Sequence, residues 1–379
     1  MNVAGLIFSN IHDKNIPELT QKRTMASVPF GGRYRLIDFT LSNMVNADIT
    51  KIGIITHYNY QSLMDHIGSG KDWDLSRSSG GIKILPPFIT AYDNTTHSMQ
   101  PYSSRLEALM GAYNFISRCT EDYFVLSDCD TVCNIDLRDV VDYHIDTHAD
   151  ITLVAKNTYL EASEAANSTI VETDGHDRIL NLLHNPTGLS GNLNQSLNIF
   201  VLKREYLESI VLDSLARGYK SFTKDIIARN IDKANFRMYS KFEGYYASIS
   251  SIDTYYRSSM DLLDKNVKEN LFGVKNRPIY TKVKNTAPAR YVGDSKVGNS
   301  LVADGCVIEG TVENSILFRG VKVGKNTVIK NSIIMQDTFV GDNVTLNCVI
   351  CDKNAVIKNG RYLSGHETHP FTVSKGTII

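Results

Sequence analysis

Between Ser295 and about Gly360, branched apolar residues return at a spacing of six: Val302 and Ile308, Val323 and Ile329, Val340 and Leu346, Ile350 and Val356. Turn-forming residues fill the gaps, as in Ala303-Asp304-Gly305, Gly324-Lys325-Asn326 and Gly341-Asp342-Asn343. An antiparallel meander would instead alternate with period two along longer strands. The six-residue period specifies a left-handed parallel β-helix, in which each hexad makes one short strand and one corner and three hexads close a triangular coil.

Such a solenoid leaves most of the 379 residues to be explained. Upstream of residue 278, apolar strand-like runs (Val3 to Phe8, Lys51 to Thr56, Tyr123 to Leu126, Ile151 to Ala155, Leu197 to Leu202) alternate with helical spacing, as in Arg105 to Ile116 and Ser221 to Arg229. Alternation of this kind predicts an α/β domain with a Rossmann-like, mixed and largely parallel sheet over residues 1–277. Pro278 to Tyr291 carries two prolines and no helical period, which reads as an extended linker over 278–294 before the β-helix of 295–379. With 40 basic against 41 acidic side chains there is no electrostatic footprint for nucleic acid, and no window approaches a membrane span. The first residues read as a buried strand rather than a signal peptide, so a cytoplasmic protein is expected. Of the six cysteines only Cys348 and Cys351 form a C-x-x-C pair, and two of four zinc ligands would be missing; they read as small apolar residues of the repeat.

The segment Pro29-Phe30-Gly31-Gly32-Arg33-Tyr34-Arg35-Leu36-Ile37-Asp38-Phe39-Thr40-Leu41-Ser42-Asn43 resembles the PFGGKYRIIDFPLSN signature of bacterial glucose-1-phosphate adenylyltransferases. Further matches follow in family order: Tyr58 to Leu63, Cys129 to Asp136 in place of GDHIYKMD, Ser196 to Val201, Lys224 to Ile227, and Ser251 to Tyr256. The resemblance implies a nucleotidyltransferase-like domain followed by a hexapeptide domain. It also implies a chemistry, the joining of glucose 1-phosphate to the α-phosphate of ATP with loss of pyrophosphate. Charge builds on phosphoryl oxygens during that displacement, so the reaction needs a glycine-rich turn, cations on the phosphates, a carboxylate pair for Mg²⁺ and a lysine on the sugar phosphate.

Against that pattern the chain departs at the chemistry. Counting back from Gly31-Gly32 places Asn10-Ile11-His12-Asp13-Lys14-Asn15-Ile16 on the family loop GGxGxRL, so no glycine remains. Asn and Asp could supply a left-handed turn, but Ile11 is β-branched where backbone must approach phosphate. Asn15 falls on the loop arginine and Met25 on a downstream lysine, while Asp13 adds a negative charge near the expected triphosphate. Asp130 falls on the first metal carboxylate and Ser248 on the second; Asn185 falls on the sugar-phosphate lysine. Asn198, Lys224 and Asp225 match the sugar-phosphate cleft, although Lys224 and Asp225 could equally open a helix, and Asp130 and Asp136 could equally be turn or capping residues. The segment Tyr102-Ser103-Ser104-Arg105-Leu106-Glu107-Ala108-Leu109 stands where the family has YxGTADAV.

Losses on separate segments that all fall on the reaction centre make the chain similar to the noncatalytic, GlgD-type subunits of this family. The resemblance implies a heterotetramer with a catalytic, GlgC-type subunit, whose rate or effector response this chain would modulate in glycogen synthesis. Mg²⁺ would belong to the assembled enzyme's reaction, and on this chain it would rest on Asp130 alone. A phosphorylated small-molecule effector would meet Arg33, Arg35 or Arg290 between the domains, with ordinary interdomain ion pairs as the plain alternative. Two rivals remain: a slow but genuine adenylyltransferase using Asp130, Lys224 and Asp225, and a coil acyltransferase. The latter needs a general-base histidine projecting from a coil. No histidine lies between Ser295 and Gly360, and His366 and His369 follow the coils.

Overall fold

The computed structural model describes residues 2–86, 102 and 104–379. The strand Val3–Phe8 is buried along its whole length because it is the inner strand of a nine-stranded sheet. Strand order across that sheet is Ile179–His184, Thr169–Thr173, Gly191–Lys203, Tyr123–Asp128, Val3–Phe8, Lys51–Ile55 and Gly81–Leu85. Ile151–Leu160 also pairs with Gly191–Lys203, and Phe236–Tyr239 lies outside it. The half from Tyr123–Asp128 to Gly81–Leu85 is parallel, whereas Gly191–Lys203 runs antiparallel to its neighbours. The sheet is therefore more mixed than the alternation suggested, since Thr169–Thr173 and Ile179–His184 form a hairpin with no helix between them.

Side chains of Val3–Phe8 point alternately to two cores. Leu6 and Phe8 join Phe124, Leu126 and Phe200 on one face; Val3 and Ile7 join Ile37, Leu41 and Met44 on the other. Gly5 is needed for that second contact, because a Cβ there would stand 2.6 Å from Met44 Sδ. The helical stretch expected from Arg105 to Ile116 is two pieces, Arg105–Gly111 and Tyr113–Ile116, and the break falls after Gly111, the weakest helix former of the run. Ser221 caps a wide-turn helix, Phe222–Ala228, by accepting the Lys224 N–H. Of the Tyr102 to Leu109 segment, Ser103 lies outside the described residues, as does Met1. Among the described residues no helix is long and apolar enough to cross a membrane.

The C-terminal part is a parallel β-helix of three five-stranded parallel sheets. Successive coils are offset by 15 residues at Val307↔Lys322, then by 17 at Lys322↔Phe339 and Phe339↔Val356. Corners require left-handed backbone, and the sequence supplies it. One corner is turned by Gly305, Gly320, Asp337 and Asn354, another by Asn326, Asn343 and Gly360, and the third by Asn299, Asn314, Asn331 and Cys348. All six cysteines are buried and free, with Cys351 in the coil core.

One sheet of the β-helix packs on the α/β domain through Ile316, Phe318, Ile333, Met335 and Ile350, which meet Phe30, Phe39, Tyr255 and Leu262. Ile279 and Thr281 of the proline-bearing segment are buried, and the Tyr280 N–H donates to Ser42 Oγ at 2.8 Å, so this connection is strapped along the helix Leu36–Asn46. Its end, Arg290–Tyr291, is already the first strand of a coil sheet. Across the interface Arg23 grips Asp352 through two parallel hydrogen bonds of 2.9 and 2.8 Å, with side chains only 2% and 3% exposed. Removing one partner of a buried pair strands the other charge, a cost of about 3–5 kcal/mol. Asp352→Ala should therefore lower the denaturation free energy by about that much, whereas the double change Arg23→Met with Asp352→Leu should cost clearly less than either single truncation. Urea titration of the variants checks both expectations.

Candidate functional site

In open α/β sheets, ligands gather at the carboxyl ends of the strands. Here those ends surround a cleft of about 460 Å³. Ile11 and Asn15 reach it from the loop after Val3–Phe8, Asp130 from the turn after Tyr123–Asp128, and Asn185 and Asn198 from the antiparallel half of the sheet. Lys224 enters from the start of the wide-turn helix, and Ser248 from a short strand whose residue opposite is Thr131. Positions spread over more than two hundred residues of sequence thus converge.

Other expected residues do not line it. Asn10 is buried: its Oδ1 accepts from Ser9 Oγ, Thr56 Oγ1 and the His57 N–H at 2.7, 2.8 and 3.1 Å, and its Nδ2 donates to Asp13 at 2.7 Å. Asp13 also accepts the Met25 N–H at 2.6 Å, so its carboxylate staples the loop instead of facing a triphosphate. Burial raises its pKa to about 6, against those hydrogen bonds. Met25 sits in the apolar cluster between the β-helix and the α/β domain, with Phe30 and Phe39. The loop turns through a tight helical turn, Asp13–Asn15, with no residue from 9 to 17 at positive φ, so the left-handed turn expected of Asn and Asp is not used. Asp225 accepts the N–H groups of Lys220 and Ser221 at 3.1 and 3.0 Å and pairs with Arg229, which makes it the opening of its helix. Asp136 caps the next helix by accepting the Arg138 N–H. His366 and His369 do not follow the coils as expected but form an exposed two-residue bridge within the last coil, between Tyr362–Ser364 and Phe371–Val373, both of which pair in the coil sheets.

At the cleft floor lies a cluster the sequence reading missed. Arg105 Nε is 3.0 and 3.1 Å from the two oxygens of Asp128, and Nη2 donates to Oδ2 as well. His12 Nε2 is 2.6 Å from Asp128 Oδ2 and 3.6 Å from Asp130 Oδ2. Asp130 Oδ1 is buried without a hydrogen-bond partner among the described residues. Burial opposes every one of these charges, yet Arg105 and then His12 hold Asp128 down to about 2. Burial would likewise depress His12, but Asp130 and Asp128 outweigh it and its pKa rises. Asp130 is raised, by burial above all and by Asp128. Two signals were available: the Asp128-Cys129-Asp130 spacing at a strand end, and Arg105 standing where the family motif has threonine.

A second pocket, of about 170 Å³, opens between the domains. Arg33 and Arg35 line it with Lys282, Lys284, Arg319 and Lys353, and among the described residues Asp65 is its one lining carboxylate. Arg290 does not reach it, because it lies exposed on the first coil strand opposite Val307. Among the described residues Arg319 Nε is buried without a partner, and Arg35 is anchored by Ser62. Burial, then Arg35 and Arg23, lower Lys353 from 10.5 to about 6.

Comparison with known proteins defines the class. Residues 15–265 match the nucleotidyl transferase family, and residues 287–379 match the GlmU-like C-terminal hexapeptide family. Over 375 residues the chain is 36% identical to the glycogen biosynthesis protein GlgD of Bacillus subtilis, covering 99% of this chain and 96% of the relative. It is 32% identical to the glucose-1-phosphate adenylyltransferase of Fervidobacterium nodosum, over 95% of this chain and 85% of the relative. The corresponding enzyme of Acetivibrio thermocellus is 31% identical over 100% and 88%. The chain belongs to the glucose-1-phosphate adenylyltransferase family.

Enzymes of that family generally use Mg²⁺; His12, Asp128 and Asp130 bring three possible ligand atoms within 4.8 Å of one another, but a ring nitrogen and a carboxylate already bound by a guanidinium make a poor set for a hard cation that takes oxygen ligands. Asp130 has Ser248 where a second carboxylate would stand, and the neighbouring Asp128 is held by a guanidinium and an imidazole. A divalent ion about 4 Å from a guanidinium would be repelled by about 8 kcal/mol at an effective dielectric of about 20.

The buried lysine of the second pocket gives a pH signature. An unfolded lysine keeps its proton up to about 10.4, whereas Lys353 loses it near 6 in the fold. Between those values the unfolded chain binds more protons, so this residue makes stability rise with pH. Lys353→Met should exceed the parent chain in stability by about 5 kcal/mol at pH 6, and the gap should close towards pH 10. Denaturant titrations across that range test the sign.

Proposed function

We propose that this chain is a noncatalytic or weakly active subunit of an ADP-glucose-forming enzyme, one that modulates a catalytic, GlgC-type partner in a hetero-oligomer serving glycogen synthesis. One observation carries the reading: the cleft where the family's reaction takes place holds one carboxylate facing Ser248, and resident cations occupy its floor. Similarity to a relative named for glycogen biosynthesis, alongside relatives named as adenylyltransferases, supports it. A scaffold kept whole around a dismantled reaction centre suits a protein that works through contacts. Such a subunit acts by binding one state of its partner better than another.

Lys224 and the free oxygen of Asp130 face the cleft and favour, as a second reading, a slow adenylyltransferase. ADP-glucose synthesis by this chain alone, by the catalytic subunit of the same cell alone, and by the co-expressed pair separates the two. We expect the chain alone to fall at least about 10³-fold below the catalytic subunit, since each lost electrostatic contact to the reacting phosphates costs roughly 10²–10³. The pair should differ from the catalytic subunit in rate, substrate affinity or effector response. An ordinary rate from this chain alone, or a pair indistinguishable from the catalytic subunit, overturns the proposal.

The interdomain pocket is the effector site on this reading, taking a phosphorylated small molecule on Arg33, Arg35, Arg319 and Lys353. An anion there favours the charged lysine, so binding at pH 7 should take up protons. Calorimetry with sulfate, which does not itself titrate near pH 7, in two buffers of different ionisation enthalpy reads this directly, and Lys353→Met should abolish the buffer dependence.

A further inference from the structure

We propose that Arg105 is the resident cation of the cleft, standing beside Asp128 and Asp130 where a divalent ion would be expected, so that the cleft takes a phosphorylated, hydroxyl-bearing ligand without metal. The inference rests on the noncatalytic reading of the same cleft and says what the cleft does instead.

Three features of the geometry point to it. Arg105 is locked by Asp128 through Nε and Nη2, which among the described residues leaves Nη1 without a hydrogen-bond partner in a side chain that lines the cleft. A fork fixed on one side by a carboxylate is pre-organised to receive an anionic oxygen on the other. His12 and Lys224 face the same space. Their convergence is felt at His184, whose pKa is lowered by burial and then by Arg105, Lys224 and His12.

The second feature is Asp130 Oδ1, which is buried and unpartnered at the cleft wall. Buried acceptors require a donor. Inorganic phosphate can give only the one or two P–OH hydrogens it keeps at neutral pH, and its negative charge is repelled by Asp130, so a ligand that brings a separate sugar hydroxyl to Asp130 while its phosphate meets Arg105 is the better complement. The third is the lining, where the amide of Asn15 and the hydroxyl of Thr223 offer donors and acceptors suited to a polyol, joined by the amide oxygens of Asn167 and Gln195, whose nitrogens already donate to Ser163 O and Ser168 Oγ. About 460 Å³ holds a sugar monophosphate.

Calorimetry on the full chain with glucose 1-phosphate, in EDTA and then with saturating Mg²⁺, tests the proposal. The expected dissociation constants agree within about twofold, and inorganic phosphate binds the cleft at least about tenfold more weakly, a difference of about 1.4 kcal/mol. In EDTA, Arg105→Thr paired with Asp128→Asn, which removes both charges together and so spares the fold, should weaken glucose 1-phosphate at least about tenfold. Arg105→Lys should recover part of that loss. Because the interdomain pocket also attracts anions, Lys353→Met is the control, and binding to the cleft should survive it. Affinity that rises tenfold on adding Mg²⁺, no detectable binding in EDTA, or binding indifferent to the Arg105 and Asp128 changes overturns the proposal. Each of those results leaves the subunit assay untouched, so failure here and failure of the regulatory reading are separately visible.

Discussion

A carboxylate with no solvent exposure at the end of a central strand is the constraint around which the cleft is organised. Asp128 closes the strand Tyr123–Asp128, next to Val3–Phe8, where side chains are enclosed by helices and by the loop above the sheet. Ionised and alone, it would cost several kcal/mol. Arg105 and His12 supply the compensation, one from the helix start after Ser104 and one from the loop after the first strand. Their recruitment has a consequence for chemistry. The cations that stabilise Asp128 point their charge into the space a metal-dependent phosphoryl transfer would need, so the stability of this protein and the family's reaction make opposite demands on one position.

The loop after Val3–Phe8 shows the same substitution of structure for chemistry. A phosphate-binding turn presents its N–H groups outward to an anion. Here Asn10 and Asp13 bind inward, to Thr56, His57 and Met25, and the loop's hydrogen-bonding capacity is spent on its own fold. Ile11, half-buried against the first core, adds apolar adhesion where a glycine would have left room. The result is a loop held in place without a ligand.

How much of this was legible in the sequence depended on the distance over which each determinant acts. The β-helix announced itself, because its period is local and its corners fall on Asn, Asp and Gly that accept left-handed backbone. Its 15- and 17-residue offsets were not legible, since a corner can shed a residue while the inward-facing apolar positions stay in line. The cleft was legible as a place: counting from Gly31-Gly32 put Ile11 and Asn15 on it, and the other segments followed. Its charge state was not. The contact between Arg105 and Asp128 spans 23 residues and that between His12 and Asp128 spans 116, and nothing in local pattern says that these three meet. The side-chain roles of Asp13 and Asp225 were hidden for the same reason, because a charge at a loop looks alike whether it faces a ligand or its own backbone.

The way the domains are joined puts one helix in contact with both the interdomain pocket and the cleft. Arg35 belongs to the interdomain pocket, while the helix that follows it, Leu36–Asn46, packs under the strands that end at the cleft and bonds through Thr40 Oγ1 to the Asp128 carbonyl at 3.2 Å. His66, on the pocket wall, is 2.6 Å from Asp38 in the first turn of that helix. One short helix therefore touches the cationic pocket at its start and the cleft floor along its length. Packed interiors shift between discrete arrangements and do not deform continuously. An anion that draws a proton onto Lys353 and pairs with its arginine neighbours would change the balance of charge at the head of this helix, and any ligand in the cleft would act on its flank. Reciprocity follows from linkage: if occupancy of the pocket alters affinity in the cleft by some factor, occupancy of the cleft alters affinity in the pocket by the same factor. A subunit with no turnover of its own needs nothing more than such a linkage, extended across a contact with its partner, to make another chain's rate depend on what it has bound.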